Sequence, residues 1–334
     1  MRYYKSIKLF RILSVLGVFL VHFYQNVGST WNSLIKYVAE FGKYGLIIFF
    51  IISGFLGYAE CESLKDFTGI KYYYKKRIAR MLPAYYFMLI IFVIWHEFLI
   101  QDVPQDVWGL GWGRYFLCLN SILPVDGVIF WRGIHAIWSV SAMMVFYFII
   151  PLVAQVMKKH PYIIMFLLYM ISLLCMIYQK RRNPYYWLEW IGFLQFFVLG
   201  ISIKVASEKK CEKTMGIIYV LFALFSSIFG GIGYELYGCL FALMMLLSLD
   251  LKFDKIADCK MIDVLDEYSY AIFLTHPFVI DIGRYICGEY ANSAVIFAIY
   301  ICIGTVLSST FLYICIEKPA RAFLLGKRTK EKVV

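Results

Sequence analysis

Charge is scarce in this 334-residue chain: Asp, Glu, Lys and Arg make up 16% of it, against 62% hydrophobic residues. With a mean hydropathy of +0.71, that scarcity excludes a domain wetted by water on all sides. Also missing are any C-x-x-C pair among the nine cysteines and any H-x-x-x-H spacing among the five histidines. Disulfides are therefore not implied, no metal site is expected, and the cysteines read as small buried apolar side chains. Neither an internal repeat nor a low-complexity tract is present.

What is there is a succession of apolar runs, each close to the ~20 residues that cross a bilayer as a helix. The expected fold is all-α: a polytopic integral membrane bundle in one domain over 1–334. Spans are expected at about 9–24, 42–58, 84–100, 138–157, 161–178, 187–204, 214–230, 232–250, 269–287 and 292–316. The basic head MRYYKSIK leads into the first run, and HFYQNVGSTW after it offers no small-x-small cleavage site, so that run is expected to be retained.

Ten spans put both termini on one side. With the N-terminus cytoplasmic, 25 of the 33 Lys and Arg residues fall in cytoplasmic segments, as the positive-inside rule requires. All eight tryptophans then sit in outer segments or at outer helix ends, where an amphipathic indole is favoured. The net charge of +11 is thus assigned to membrane borders in a multi-pass plasma-membrane protein, not to nucleic acid. Two connections are long: a basic inner loop at 59–83, and an outer loop at 101–137 rich in Trp and Gly.

Several polar residues interrupt the apolar runs. Arg11 and His22 are eleven positions apart, about three helical turns, so they share one face about 16 Å apart along the axis. Ionisable groups at membrane depth usually face the bundle interior or a cavity, although a boundary anchor and a core histidine would also fit. In FFIISGFLGY, Ser53 and Gly54 permit close backbone approach, which helix packing alone explains. Arg77 and Arg80 of KKRIARMLP are helix-surface neighbours whose guanidinium forks suit phosphate, though positive-inside anchoring explains them equally. Ser139, Ser141 and Tyr147 in WSVSAMMVFY supply hydroxyls for a polar ligand or for neighbouring helices. His276 precedes Pro277, which frees a backbone carbonyl and favours a kink beside a second intramembrane histidine.

In order, these segments resemble the integral-membrane acyltransferase family 3, the O-acyltransferases of bacterial surface glycans. RILSVLGVFLVH resembles the family's R-x10-H, FFIISGF its serine-glycine segment, and RIARMLP its R-x-x-R and following proline. WSVSAMMVFY, YSYAIFLTHPF and IEKP follow in the family's order, so the likeness covers nearly the whole chain. It implies transfer of an acyl group, usually acetyl, from cytoplasmic acetyl-CoA to a hydroxyl of a cell-surface or lipid-linked saccharide.

In that transfer, acetyl-CoA is a substrate and no bound cofactor is implied. Carried over, His22 is the essential histidine, Arg11 its motif partner, and Arg77 and Arg80 the donor-side arginines. The residues themselves suggest neutral His22 as the base on the acceptor hydroxyl, with Ser53, Ser139, Ser141, Tyr147 and His276 lining or supporting the site. One departure is that Met143 and Met144 stand in the segment where many relatives carry acidic residues, in a W-S-x-S-x-E-x-x-F-Y type pattern, with Glu189 or Glu235 as candidate replacements. A transporter of a small polar solute and a non-catalytic member of the fold remain the rival readings, the first weakened by the missing repeat.

Overall fold

The structure, a computed structural model, describes residues 5–27, 33–64, 66–101, 110–122, 137–182, 190–230, 233–249, 251, 258–287 and 294–326. Among them every regular element is a helix. In chain order these are α1 (Lys5–Val27), α2 (Ser33–Phe41), α3 (Gly45–Cys61), α4 (Phe67–Val93), α5 (Leu110–Phe116), α6 (Trp138–Met157), α7 (Pro161–Arg182), α8 (Trp190–Lys209), α9 (Glu212–Gly230), α10 (Tyr234–Ser248), α11 (Lys260–Cys287), α12 (Ala294–Phe311) and α13 (Lys318–Leu325). Single π-helical segments, Ile94–Ile100 and Leu312–Glu317, extend α4 and α12.

Seven helical stretches among the described residues are long and apolar enough to cross a membrane: Lys5–Asn26, Lys36–Cys61, Phe67–Ile100, Trp138–Met157, Pro161–Arg181, Trp190–Lys209 and Val295–Leu325. They coincide with seven of the ten expected spans. The other three fall on α9, on the 15-residue apolar α10 and on the more polar α11, which lie outside that set. Large apolar side chains such as Phe148, Leu152, Leu174, Leu221, Leu307 and Val306 are exposed, as residues facing hydrocarbon must be.

One expectation is corrected. The stretch at 59–83 is not a loop throughout, because α4 begins at Phe67 and carries the basic residues into its apolar half without a break. Lys, Arg and Met are good helix formers, so the helix outruns the hydrocarbon-length run that hydropathy detects. Pro83 sits inside α4 at the cost of one backbone hydrogen bond.

The described chain forms two compact units. The first comprises Met1–Ser14, Tyr44–Tyr74 and Ala142–Asp266, and its core is the crossing of α3 and α8. Gly54 and Gly200 make that crossing possible: a Cβ on Gly54 would drive into the Phe197 carbonyl oxygen, and one on Gly200 into that of Ile51. Phe197 stacks on Phe146 with ring centroids 4.0 Å apart and meets Phe50 at 4.8 Å. Just beyond α3, Glu62 hydrogen-bonds the Glu208 side chain near Lys204 and Lys158. Burial, together with that second carboxyl, pushes its pKa up to about 7.

The second unit comprises Val15–Lys43, Lys75–Ser141 and Glu267–Val334. Here Gly17 and Gly42 touch backbone to backbone, and Phe23, Ile280, Phe297 and Ile301 form a buried cluster with Phe19 and Tyr300 packed against it. Helices α1, α4, α6 and α11 contribute residues to both units.

Candidate functional site

The C-terminal part of α1 carries His22 into the second unit, where it meets His276 of α11 with ring centroids 5.4 Å apart and planes inclined by 36°. His276 has 0% of its surface exposed, and its Nδ1 lies 2.9 Å from the Ile272 carbonyl one turn back. A carbonyl only accepts, so Nδ1 is the donor, and Nε2 of the neutral ring carries the lone pair. Phe19 meets the His276 ring edge-on at 6.0 Å, and Phe273 lies 6.1 Å from it. Pro277 follows inside α11, which runs unbroken from Lys260 to Cys287. Two imidazoles 254 positions apart in sequence thus share one apolar, aromatic setting.

The N-terminal part of α1 belongs to the first unit, and there Arg11 is engaged. Its Nη1 donates to Asp266 at 2.8 Å (Oδ1) and 3.0 Å (Oδ2). Lys8 pairs with Asp263, and Lys5 with Asp258 at 2.6 Å. The three cations recur every third residue on one face of α1, facing one carboxylate just before α11 and two in its first two turns. Sequence reading singled out Arg11 but missed Asp266; the signal available was the matched K-x-x-K-x-x-R and D-x-x-D spacing.

Ser53 lies beside Tyr147 and Met143. The Tyr147 hydroxyl donates to Ser53 Oγ at 3.1 Å, and Ser53 Oγ turns to the Met143 thioether, with Sδ at 3.8 Å. A weak sulfur acceptor therefore occupies the place where the family pattern has an acid. Glu235 is buried at the start of α10, within electrostatic reach of Cys239 and Tyr169, while Glu189 lies outside the described residues.

Ser141, in the second unit, secures the segment after α5. It donates to the Cys118 carbonyl at 2.6 Å, accepts from the Ser121 backbone N–H at 3.1 Å, and lies 2.7 Å from the Ser121 hydroxyl. The backbone at Cys118 has a positive φ of 55°, a conformation that such anchoring holds in place. Tyr85 and Tyr86 of α4 add hydrogen bonds to the Tyr115 and Phe116 carbonyls. Ser139 is fully buried two residues earlier on α6.

Arg77 is buried on α4 and Arg80 half-buried one turn further. In the same unit Glu317, buried at the end of the π-helical segment, lies in the field of both Arg80 and Arg321. Tyr313 donates to Glu267 Oε2 at 3.2 Å nearby in that charged group. The IEKPAR stretch thus sets a second arginine and a carboxyl within electrostatic reach of Arg80. No group of three or more His, Cys, Asp or Glu suited to a metal occurs among the described residues.

Compared with known proteins, the chain matches a family model described as an acyltransferase domain over residues 4–314. No curated protein and no solved structure matches it.

Proposed function

Because the chain belongs to the membrane acyltransferase family 3, we propose that it moves an acetyl group from cytoplasmic acetyl-CoA to a hydroxyl of a cell-surface or lipid-linked saccharide. The observation that carries the reading is the His22–His276 contact inside the matched region, where a buried, tautomer-fixed imidazole packs against the motif histidine. In this reading the protein lies in the plasma membrane with ten spans, α9, α10 and α11 supplying three of them, and both termini are cytoplasmic.

His22 in its neutral form takes the proton of the acceptor hydroxyl as that oxygen attacks the thioester carbonyl. The carbon–sulfur bond breaks, the imidazolium returns the proton to the departing thiolate, and the products are an O-acetyl ester and the CoA thiol. Atoms and protons balance within the pair of substrates, so no proton leaves the site. His276 is a positioning residue: its Nδ1–H bond to Ile272 holds its ring, and that ring packs against His22.

Arg77 and Arg80 bind the CoA phosphates, with Glu317 limiting the repulsion between Arg80 and Arg321. Arg11, already engaged by Asp266, holds α1 against α11 instead of touching the donor. Ser53 and Tyr147 support the α3–α6 contact, Ser141 holds the outer segment that meets the acceptor, and Ser139 is buried beside it on α6. The test is transfer of radiolabelled acetyl from acetyl-CoA to glycan in inverted membranes. Label reaching glycan supports the enzyme, whereas uptake of label without covalent transfer rejects it in favour of transport.

A further inference from the structure

A second buried histidine remains after the site is described, and this one has a carboxylate partner. His96 is 1% exposed and sits in the π-helical segment Ile94–Ile100, which closes on Gln101 with a positive φ of 57°. Isolated π turns of this kind concentrate at functional positions, because they re-aim side chains that an α-helix would point elsewhere. The turn brings Trp95 and His96 to one carboxylate. Trp95 Nε1 donates to Asp281 Oδ2 at 3.1 Å, and His96 Nε2 lies 3.4 Å from the same oxygen.

Aromatic rings pack around Trp95 and His96. Phe278 meets Trp95 edge-on at 6.1 Å and Phe92 at 5.1 Å, Phe92 lies parallel to His96 at 6.3 Å, and Tyr285 meets Trp95 at 5.4 Å with planes 85° apart. Asp281 retains 12% side-chain exposure, and Tyr285 is largely exposed, so the cluster opens toward the surface on the Tyr285 side. A carboxylate inside a predicted span is costly and is retained where something uses it.

We propose that Trp95, His96, Asp281 and Tyr285 form the subsite that receives the sugar acceptor, with Asp281 accepting a sugar hydroxyl and the aromatic rings covering an apolar sugar face. The chemistry fits a polyol: a carboxylate forms strong hydrogen bonds to hydroxyls, and indole and phenol rings offer flat apolar surface with a polar edge. Asp281 lies five residues beyond His276 on α11, about 7.5 Å along the helix axis and about 140° round it, so this cluster holds a part of the acceptor remote from the hydroxyl that reacts at the histidine pair. Charge mapping of the sequence assigns this end of α4 and α11 to the outer side, where such an acceptor arrives. The subsite rests on the proposed acetyl transfer for its role, but its binding can be measured separately.

The experiment uses the full chain in nanodiscs with radiolabelled acetyl-CoA and a panel of methyl glycosides of short oligosaccharides built from glucose, galactose and N-acetylglucosamine as acceptor probes. Asp281→Asn, which preserves volume, is expected to raise the acceptor KM at least tenfold, with the acetyl-CoA KM unchanged and Asp281→Glu recovering part of the loss. Trp95→Phe, which keeps a ring and removes the N–H, is expected to raise the acceptor KM severalfold. An unchanged acceptor KM in Asp281→Asn, or equal changes in both KM values, overturns the subsite.

If the wild-type protein transfers no acetyl group to any probe, the proposed activity fails for these acceptors, and equilibrium dialysis of the same glycosides, radiolabelled, decides the subsite alone. Binding that Asp281→Asn abolishes then sustains it. Absence of binding, or equal binding by both proteins, overturns it.

Discussion

If Arg11 is a clasp, removing either partner of its pair with Asp266 must cost stability, and removing both must restore most of it. The oxygens lie 2.8 and 3.0 Å from Nη1, and the side chains are 15% and 20% exposed. Unit charges about 4 Å apart attract by about 4 kcal/mol at an effective dielectric of ~20, and desolvation offsets much of that gain. Breaking a fully buried pair costs about 3–5 kcal/mol, chiefly from the charge left alone, and the residual exposure here reduces this to about 2 kcal/mol.

Arg11→Met and Asp266→Leu are therefore each expected to destabilise the purified protein by about 2 kcal/mol, while the double variant lies within about 1 kcal/mol of wild type. Denaturation in detergent measures the cycle, and acetyl transfer by the same proteins measures its consequence. A double variant that recovers both stability and transfer identifies Arg11 as a clasp. Single variants that cost under ~0.5 kcal/mol, or a double variant that is stable and inactive, refute the reasoning.

The remaining expectations are narrower. Gly54→Ala and Gly200→Ala each force α3 and α8 apart, because the new Cβ meets backbone and not a movable side chain; a loss of about 2–3 kcal/mol in the same denaturation assay is expected, and tolerance of both would refute the crossing. Tyr147→Phe removes the donor to Ser53 and is expected to cost about 1 kcal/mol. Glu62 binds its proton more tightly in the folded protein, at about 7, than an ordinary carboxyl, so its favourable contribution is complete below about pH 4.5 and is lost as pH rises through about 7. The thermal midpoint should fall over that window and flatten in Glu62→Gln; an unaltered slope in the variant contradicts the assignment.

Hydropathy and charge made the helical class and seven membrane-length helices legible, because the hydrocarbon imposes a length and a composition on each run. They could not show where a helix continues beyond the hydrocarbon, which is why the basic segment before Met81 was expected as a loop and is the first half of α4. Glycine in the FFIISGF stretch signalled close approach, and the structure supplies its partner, the Phe197 backbone on α8.

Pairings across long sequence distance were hidden. His22 and His276 were each visible as a polar residue in an apolar run, but their contact depends on helix packing that no local pattern encodes. Asp266 and Asp281 were missed because single acids near span ends look like ordinary borders until their cationic and indole partners are seen.

The most direct test of the central claim is the initial rate of acetyl transfer from acetyl-CoA to glycan by wild type and His22→Ala at matched protein levels. Loss of a positioned base predicts a fall of about 10²–10⁴-fold, with the fold and the acetyl-CoA affinity retained. Transfer by His22→Ala at the wild-type rate would contradict it.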